Sequence, residues 1–202
     1  MTTHAPTRLT HAISALAAGE PVILADGHEG HLVFAAASAS PALLAFTVRY
    51  TCGFVRVAMT AEDCLRLDLP PTHYRGDPAQ RVTVDLRGPG TGISSADRAR
   101  TIAALAAPGS VAEDFSRPGH VVPVQADAGL TEAAVELARR SGHPTAAAYS
   151  TLVSAENPLH MAGGDELNRF AAEHGLAIVR FEPPSRRRLP AASQASGNES
   201  PC

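Results

Sequence analysis

Four short stretches of this chain carry side chains that can move protons or hold anions. In Ala25-Asp26-Gly27-His28-Glu29-Gly30-His31, two imidazoles flank a carboxylate across glycines. An imidazole titrates near neutral pH, so His28 and His31 suit general acid or base work, with Glu29 to assist or orient them. The same three groups would also suit zinc or another transition ion, although their i, i+3 spacing crosses a glycine turn and not a helix face. In Arg117-Pro118-Gly119-His120 the imidazole is a second proton carrier. The other reading there is structural, with a Pro-Gly turn fixing a strand start while Arg117 satisfies a carboxylate. Gly90-Thr91-Gly92-Ile93-Ser94-Ser95-Ala96-Asp97-Arg98 is a glycine turn leading into serines at a helix start, which points N–H groups and hydroxyls outward toward an anion. Plain capping by Ser94 or Ser95, with Asp97 in the first turn, accounts for the same residues. Arg49-Tyr50-Thr51-Cys52-Gly53 adds a guanidinium and a thiol, and Cys52 also fits the role of a small buried hydrophobe.

The elements that must position these groups alternate between helix and strand. Thr7 caps a helix with Leu9, Ile13 and Leu16 on one face, and Gly19 ends it. Strands are expected at Pro21–Ala25 and His31–Ala35. Ser40 as cap with Pro41 at the first position opens a helix to about Tyr50, buried through Leu43, Leu44 and Val48. Gly53–Met59 reads as a strand and Thr60–Leu67 as a short capped helix. Pro70–Gln80 is a loop into the strand Arg81–Leu86. A helix from Ser94 or Ser95 to about Ala107 follows, then the Arg117–Pro123 segment. Thr131 opens a helix through Arg140, Thr145–Val153 is a strand, Asp165–His174 a helix and Leu176–Phe181 a last strand. This alternation, with no fixed repeat, predicts an α/β domain of two or three layers.

The chain has 202 residues, 45% hydrophobic and 18% charged, which is enough for one substantial core. A formal charge of -3 gives no field suited to a phosphate backbone, so nucleic acid is not an expected partner. Cys52, Cys64 and Cys202 have neither metal-ligand spacing nor an even count, which fits a reducing cytoplasm. No signal-like N-terminus or bilayer-length apolar segment is present, and no membrane partner is expected. Residues 183–202 hold almost no large apolar side chain, which predicts a disordered tail after a domain over 1–182.

Thr91-Gly92-Ile93-Ser94 with Ala96-Asp97-Arg98, followed by Arg117-Pro118-Gly119-His120, resembles the 3,4-dihydroxy-2-butanone 4-phosphate synthase family. The likeness extends over most of residues 8–181, including Leu67-Asp68-Leu69-Pro70, Met161-Ala162, Glu166-Leu167, Phe170-Ala171 and His174. It implies a single α/β (α+β) sandwich domain and a homodimer with sites near the subunit interface. In that family a magnesium-dependent lyase releases the C4 carbon of ribulose 5-phosphate as formate, in riboflavin synthesis.

The resemblance fails where that chemistry is done. The family's acidic loop ends Asn-Glu-Gly-Asp. Here Glu29 and Gly30 match its Glu-Gly, His31 replaces the final Asp, and the metal-ligand carboxylate position falls near Gly27. The family's second metal ligand is the His of Gly-Gly-His-Thr-Glu-Ala, preceded by a phosphate-contacting Arg. Only Leu130-Thr131-Glu132-Ala133 remains, with Leu130 at the histidine position and the arginine segment missing. Thr151 stands where a catalytic Glu belongs, and Arg49–Gly53 replaces Arg-His-Gly-Ser-Gly.

The implied cleft gathers the His28–His31 turn, Arg49–Cys52, Asp97–Arg98 and His120. Its catalytic candidates are His28, Glu29, His31, His120 and Cys52; its substrate-binding candidates are Arg49, Tyr50, Thr91, Ser94, Asp97, Arg98, Arg117 and Thr131. Magnesium needs oxygen-rich ligands, so the expectation is no cofactor and a lost magnesium site. The expected function is a different lyase, isomerase or cyclase-type step on a small metabolite in a specialised biosynthetic pathway. A non-catalytic dimeric binding or scaffold protein, and a ribulose 5-phosphate lyase with a rebuilt metal site, are its rivals.

Overall fold

In the computed structural model, which describes residues 8–72 and 79–181, alternate residues of the middle strands enter different cores. The strands are β1 (Val22–Ala25), β2 (Gly30–Ala35), β3 (Arg56–Met59), β4 (Val84–Leu86), β5 (Phe115–Gln125), β6 (Ala146–Thr151) and β7 (Ile178–Arg180). They form one sheet in the order β4-β5-β3-β6-β2-β1-β7. The β3–β5 and β1–β7 pairs are parallel and the rest antiparallel. The helices are α1 (Arg8–Ala17), α2 (Pro41–Tyr50), α3 (Ala61–Arg66), α4 (Ser95–Ala106), α5 (Leu130–Arg140) and α6 (Gly164–His174). Among the described residues, no helix is long and apolar enough to cross a membrane.

Val22, Leu24, Val33 and Tyr149 share one core with Leu16 of α1 and Ala134 and Leu137 of α5. On the other side, Ile23 and Leu32 meet Leu167 and Ala171 of α6. Phe34, Val57 and Met59 meet Leu44 of α2 and Ile102 and Leu105 of α4. Both faces of the sheet are therefore covered, which is why Val22-Ile23-Leu24-Ala25 is a continuous apolar run and not an alternating one. The expected α/β layering is present, with three layers.

Side-chain caps set the helix starts. Ser40, Thr60 and Ser94 each accept the backbone N–H three residues on, and each cap contributes about 1 kcal/mol. Several expected boundaries shift, three of them for a visible local reason. β3 starts at Arg56 and not Gly53, because Thr51 is held at the end of α2: its N–H and hydroxyl both donate to the Thr47 carbonyl. β4 is confined to Val84–Leu86 by a register shift between Val84 and Asp85, and Arg81 makes only an isolated bridge to Pro71. Thr131 does not open α5. Gly129 does so at φ 66, while the Thr131 hydroxyl donates back to the Ala128 carbonyl. Part of the expected 70–80 loop and the whole 183–202 tail lie outside the described residues.

Candidate functional site

Register places the chemistry at one end of the sheet. Val33, Tyr149, Arg56 and Val122 form one rung across β2, β6, β3 and β5. Side chains repeat every second residue, so the next rung on that side holds His31, Thr151 and His120.

The β1–β2 turn is tight. Gly27 has φ 91, and one Asp26 carboxylate oxygen accepts the N–H groups of His28 at 3.1 Å and Glu29 at 3.0 Å. Burial pushes the Asp26 carboxyl up, but those two N–H bonds and nearby His31 outweigh it and hold the group below its ordinary value. His31 is 5% exposed, and burial drives its imidazole below the ordinary value despite the opposing pull of Asp26 and Glu29. Neutral His31 meets the Thr151 hydroxyl through Nδ1 at 3.1 Å, while Nε2 lies 3.6 Å from Asp26. Nε2 facing a carboxylate is the side that carries the proton, so Nδ1 accepts from Thr151. His31 and Thr151 thus bind each other.

The second pair was only half visible in the sequence. Asp85, 8% exposed, accepts the backbone N–H of His120 at 2.9 Å and faces its Nδ1 at 2.7 Å. A carboxylate can only accept, so Nδ1 carries the proton and Nε2 presents its lone pair. Two glycines permit this arrangement. A Cβ on Gly119 would overlap the β4 backbone, and one on Gly92 would overlap the Asp85 carboxylate. Arg98 stands near Asp85 and donates to the Gly53 carbonyl at 3.4 Å; burial lowers its pKa against the pull of Asp85.

The other candidates divide. Cys52 is exposed, with its thiol 3.6 Å from the Ser150 hydroxyl, which donates to the Phe54 carbonyl. Glu29 lies beside His31, whereas His28 is exposed on the turn. Ser94 and Asp97 make a reciprocal cap, and Asp97 also pairs with Arg100. Thr91 is exposed. Arg117 donates to the carbonyls of Leu67, Asp68, Ala112 and Phe115, which ties the start of β5 to the end of α3. Arg49 lies over the Tyr50 ring, and Tyr50 joins Phe46, Phe170 and His174 in an aromatic group under α6. The expected single cleft is therefore resolved into the His31 and His120 pairs, with Arg98 and Cys52 beside the Gly53–Phe54 corner between them. A cavity of about 580 Å³ lies elsewhere, between α3 and α5 and lined by Thr60, Glu132, Glu136 and Phe181.

The sequence profile of 3,4-dihydroxy-2-butanone 4-phosphate synthase matches residues 10–183. This chain belongs to that family. It is 45% identical over 187 residues to the riboflavin biosynthesis protein RibBA of Rhodococcus jostii, covering 85% of this chain and 45% of that protein. The chain thus spans less than half the length of the curated relatives it matches. The Candida albicans 3,4-dihydroxy-2-butanone 4-phosphate synthase superposes with TM-score 0.81 at 35% identity, covering 88% of this chain and 95% of that one. A synthase solved in complex with two magnesium ions superposes with TM-score 0.78 at 35% identity, covering 84% and 91% of the two chains. The fold and its riboflavin-biosynthesis kinship are those of the synthase family.

The side chains that the sequence comparison set against the family's magnesium ligands are engaged within the chain. A hard divalent cation takes several oxygen ligands in octahedral array. The Asp26 carboxylate already closes the turn, Leu130 packs in the apolar core beside α1 and α5, and Thr151 binds His31. Among the described residues no three His, Cys, Asp or Glu side chains converge as a metal site.

Three residues around these rungs escaped the sequence reading. Arg56 is the one charge in Phe54-Val55-Arg56-Val57-Ala58-Met59, and Asp85 the one charge in Val82-Thr83-Val84-Asp85-Leu86. A lone ion in a strand otherwise headed for a core is the signal that would have found both. Asp26 carried no such signal, since acids are ordinary turn residues.

Proposed function

We propose that this family member performs acid–base chemistry on a small metabolite, in a lyase, isomerase or cyclase-type step that runs without magnesium. The observation that carries the reading is the 2.7 Å His120–Asp85 contact, which fixes one tautomer and leaves Nε2 as a base. His120 removes a proton from carbon next to a carbonyl, and the Asp85 carboxylate steadies the imidazolium so formed. His31, held neutral, and Glu29 serve the other end of the substrate, with Arg98 and Cys52 between. The same reading takes residues 1–182 as one domain followed by a tail, two chains as a homodimer, and the cytoplasm as the setting, with no nucleic acid or membrane partner.

The parent reaction is the second reading, and the 45% identity to the Rhodococcus jostii protein favours it. One experiment separates the two. Full-length protein is given ribulose 5-phosphate and magnesium while formate is measured. In parallel, with a chelator present, NMR follows deuterium uptake from solvent beside the carbonyl of assorted ketoses and keto acids. Exchange in chelator that drops about a hundredfold or more in His120→Gln supports the proposal. Magnesium-dependent formate release overturns it in favour of the parent lyase. No exchange and no formate leaves a binding protein, and overturns it too.

A further inference from the structure

We infer that Arg56 is the residue that grips an anionic group of this protein's substrate, a phosphate or a carboxylate, between the two imidazole pairs. The inference deepens the reading above and rests on the same site being used for a small metabolite. Arg56 occupies the rung next to that of His31, Thr151 and His120, on β3, one of the two inner strands of the four. Its guanidinium carbon lies 5.1 Å from the Phe54 ring centroid and 5.3 Å from that of Tyr149, so two aromatic rings hold the cation. Phe54 is 45% exposed, so this holder has an open side.

What distinguishes Arg56 is its lack of a partner. Arg66, Arg100 and Arg139 each pair with a carboxylate three residues earlier, and Arg117 donates to four carbonyls. Among the described residues no acid reaches Arg56, and its Nε is buried without an acceptor. Arg98 Nε is likewise buried without an acceptor, whereas His31 Nε2 has the Asp26 carboxylate 3.6 Å away. Buried donors without acceptors are rare in folded proteins. An oxyanion satisfies a guanidinium through two parallel N–H bonds, a geometry that a lysine does not reproduce. Phosphate and carboxylate share that geometry, so the site calls for an oxyanion and not for one metabolite. An anion at Arg56 would lie one rung from both His31 and His120, which puts the adjoining carbon of a small molecule within their reach.

The test uses the full chain, with inorganic phosphate and malonate titrated separately while NMR follows the arginine Nε–H signals. The expected result is a saturable shift of the Arg56 signal with at least one probe, and the probe that saturates at lower concentration names the anion. Arg56→Gln weakens that binding about tenfold or more, equal to about 1.4 kcal/mol. Arg56→Lys falls between, and Arg140→Gln on the exposed side of α5 changes nothing. If Arg56→Gln fails to fold, the wild-type Nε titration decides alone. An Arg56 signal that neither probe moves overturns the inference, as does a folded Arg56→Gln that binds like wild type. The two proposals fail separately. Anion binding through Arg56 alongside magnesium-dependent formate release sinks only the magnesium-free reaction. Deuterium exchange with unaltered KM in Arg56→Gln sinks only the role of Arg56.

Discussion

Replacing Asp85 by asparagine keeps the shape of the side chain and removes its charge. The carboxylate accepts two bonds from His120, at 2.9 Å from the backbone N–H and 2.7 Å at Nδ1. A hydrogen bond to a charged group contributes about 1.5–3 kcal/mol, and one between neutral groups about 1 kcal/mol. In Asp85→Asn the amide oxygen retains the backbone bond at neutral strength. Its NH2 then faces Nδ1, which must give up its proton to accept. The weakened bond and the exchanged one together cost about 2 kcal/mol. Urea slopes for small proteins are about 1–3 kcal/mol per molar, so the unfolding midpoint falls by about 1 M. Ring-nitrogen NMR shifts read the tautomer directly, with the proton on Nδ1 in the wild type and on Nε2 in the variant. If the midpoint and the His120 tautomer both stay unchanged, the pair does not hold the imidazole and the proton-transfer proposal loses its support.

Two further outcomes follow from the same geometry. Burial depresses the His31 pKa below 6.5, so the unfolded chain binds that proton more readily than the folded one. The stability tied to neutral His31 is fully present above about pH 6.5 and is lost as the pH falls below it. Asp26 is depressed below 3.8, and its contribution disappears only in stronger acid. Urea midpoints against pH should therefore show an upper step that His31→Gln removes; an upper step of equal size in that variant refutes the assignment. Gly92→Ala and Gly142→Ala place a Cβ at the same φ of 84, but only at Gly92 does it run into the Asp85 carboxylate, since nothing surrounds Gly142. The Gly92 variant should melt lower than the Gly142 variant by about 4 °C or more, for an excess cost of about 2 kcal/mol. Equal melting temperatures would mean that Gly92 does not press on Asp85.

The elements were legible wherever local chemistry dictates them. Ser40-Pro41, Thr60 and Ser94 announce helix starts because a side-chain oxygen satisfies an N–H three residues on, whatever the rest of the chain does. β3 and β4 were less legible, because their ends depend on which strand lies alongside and where the register shifts. The same limit governed the site. His31, Glu29 and His120 stood out by residue type, yet the pairing of His120 with Asp85 spans 35 residues and that of His31 with Thr151 spans 120. No local rule reports such contacts. Ser94, Asp97 and Arg117 show the converse, where a residue type suited to anions makes a cap or a clamp once its neighbours are known.

The polar side chains at one end of the sheet satisfy one another in pairs. A site for magnesium gathers carboxylates. Here the turn after β1 has closed around Asp26, α5 begins with Leu130 after the Gly129 cap, and Thr151 stands opposite His31. Left unpaired, buried polar atoms here would each cost about 1–3 kcal/mol. Thr151 and His31 instead satisfy each other, and Asp85 satisfies His120. Among the described residues the buried guanidinium donors that go without are Arg56 Nε, Arg98 Nε and Arg81 Nε, while His31 Nε2 keeps the Asp26 carboxylate 3.6 Å away. Arg56 and Arg98 both come from the part of the site around Gly53 and Phe54. Donors without acceptors on a guanidinium call for an anion from outside the chain.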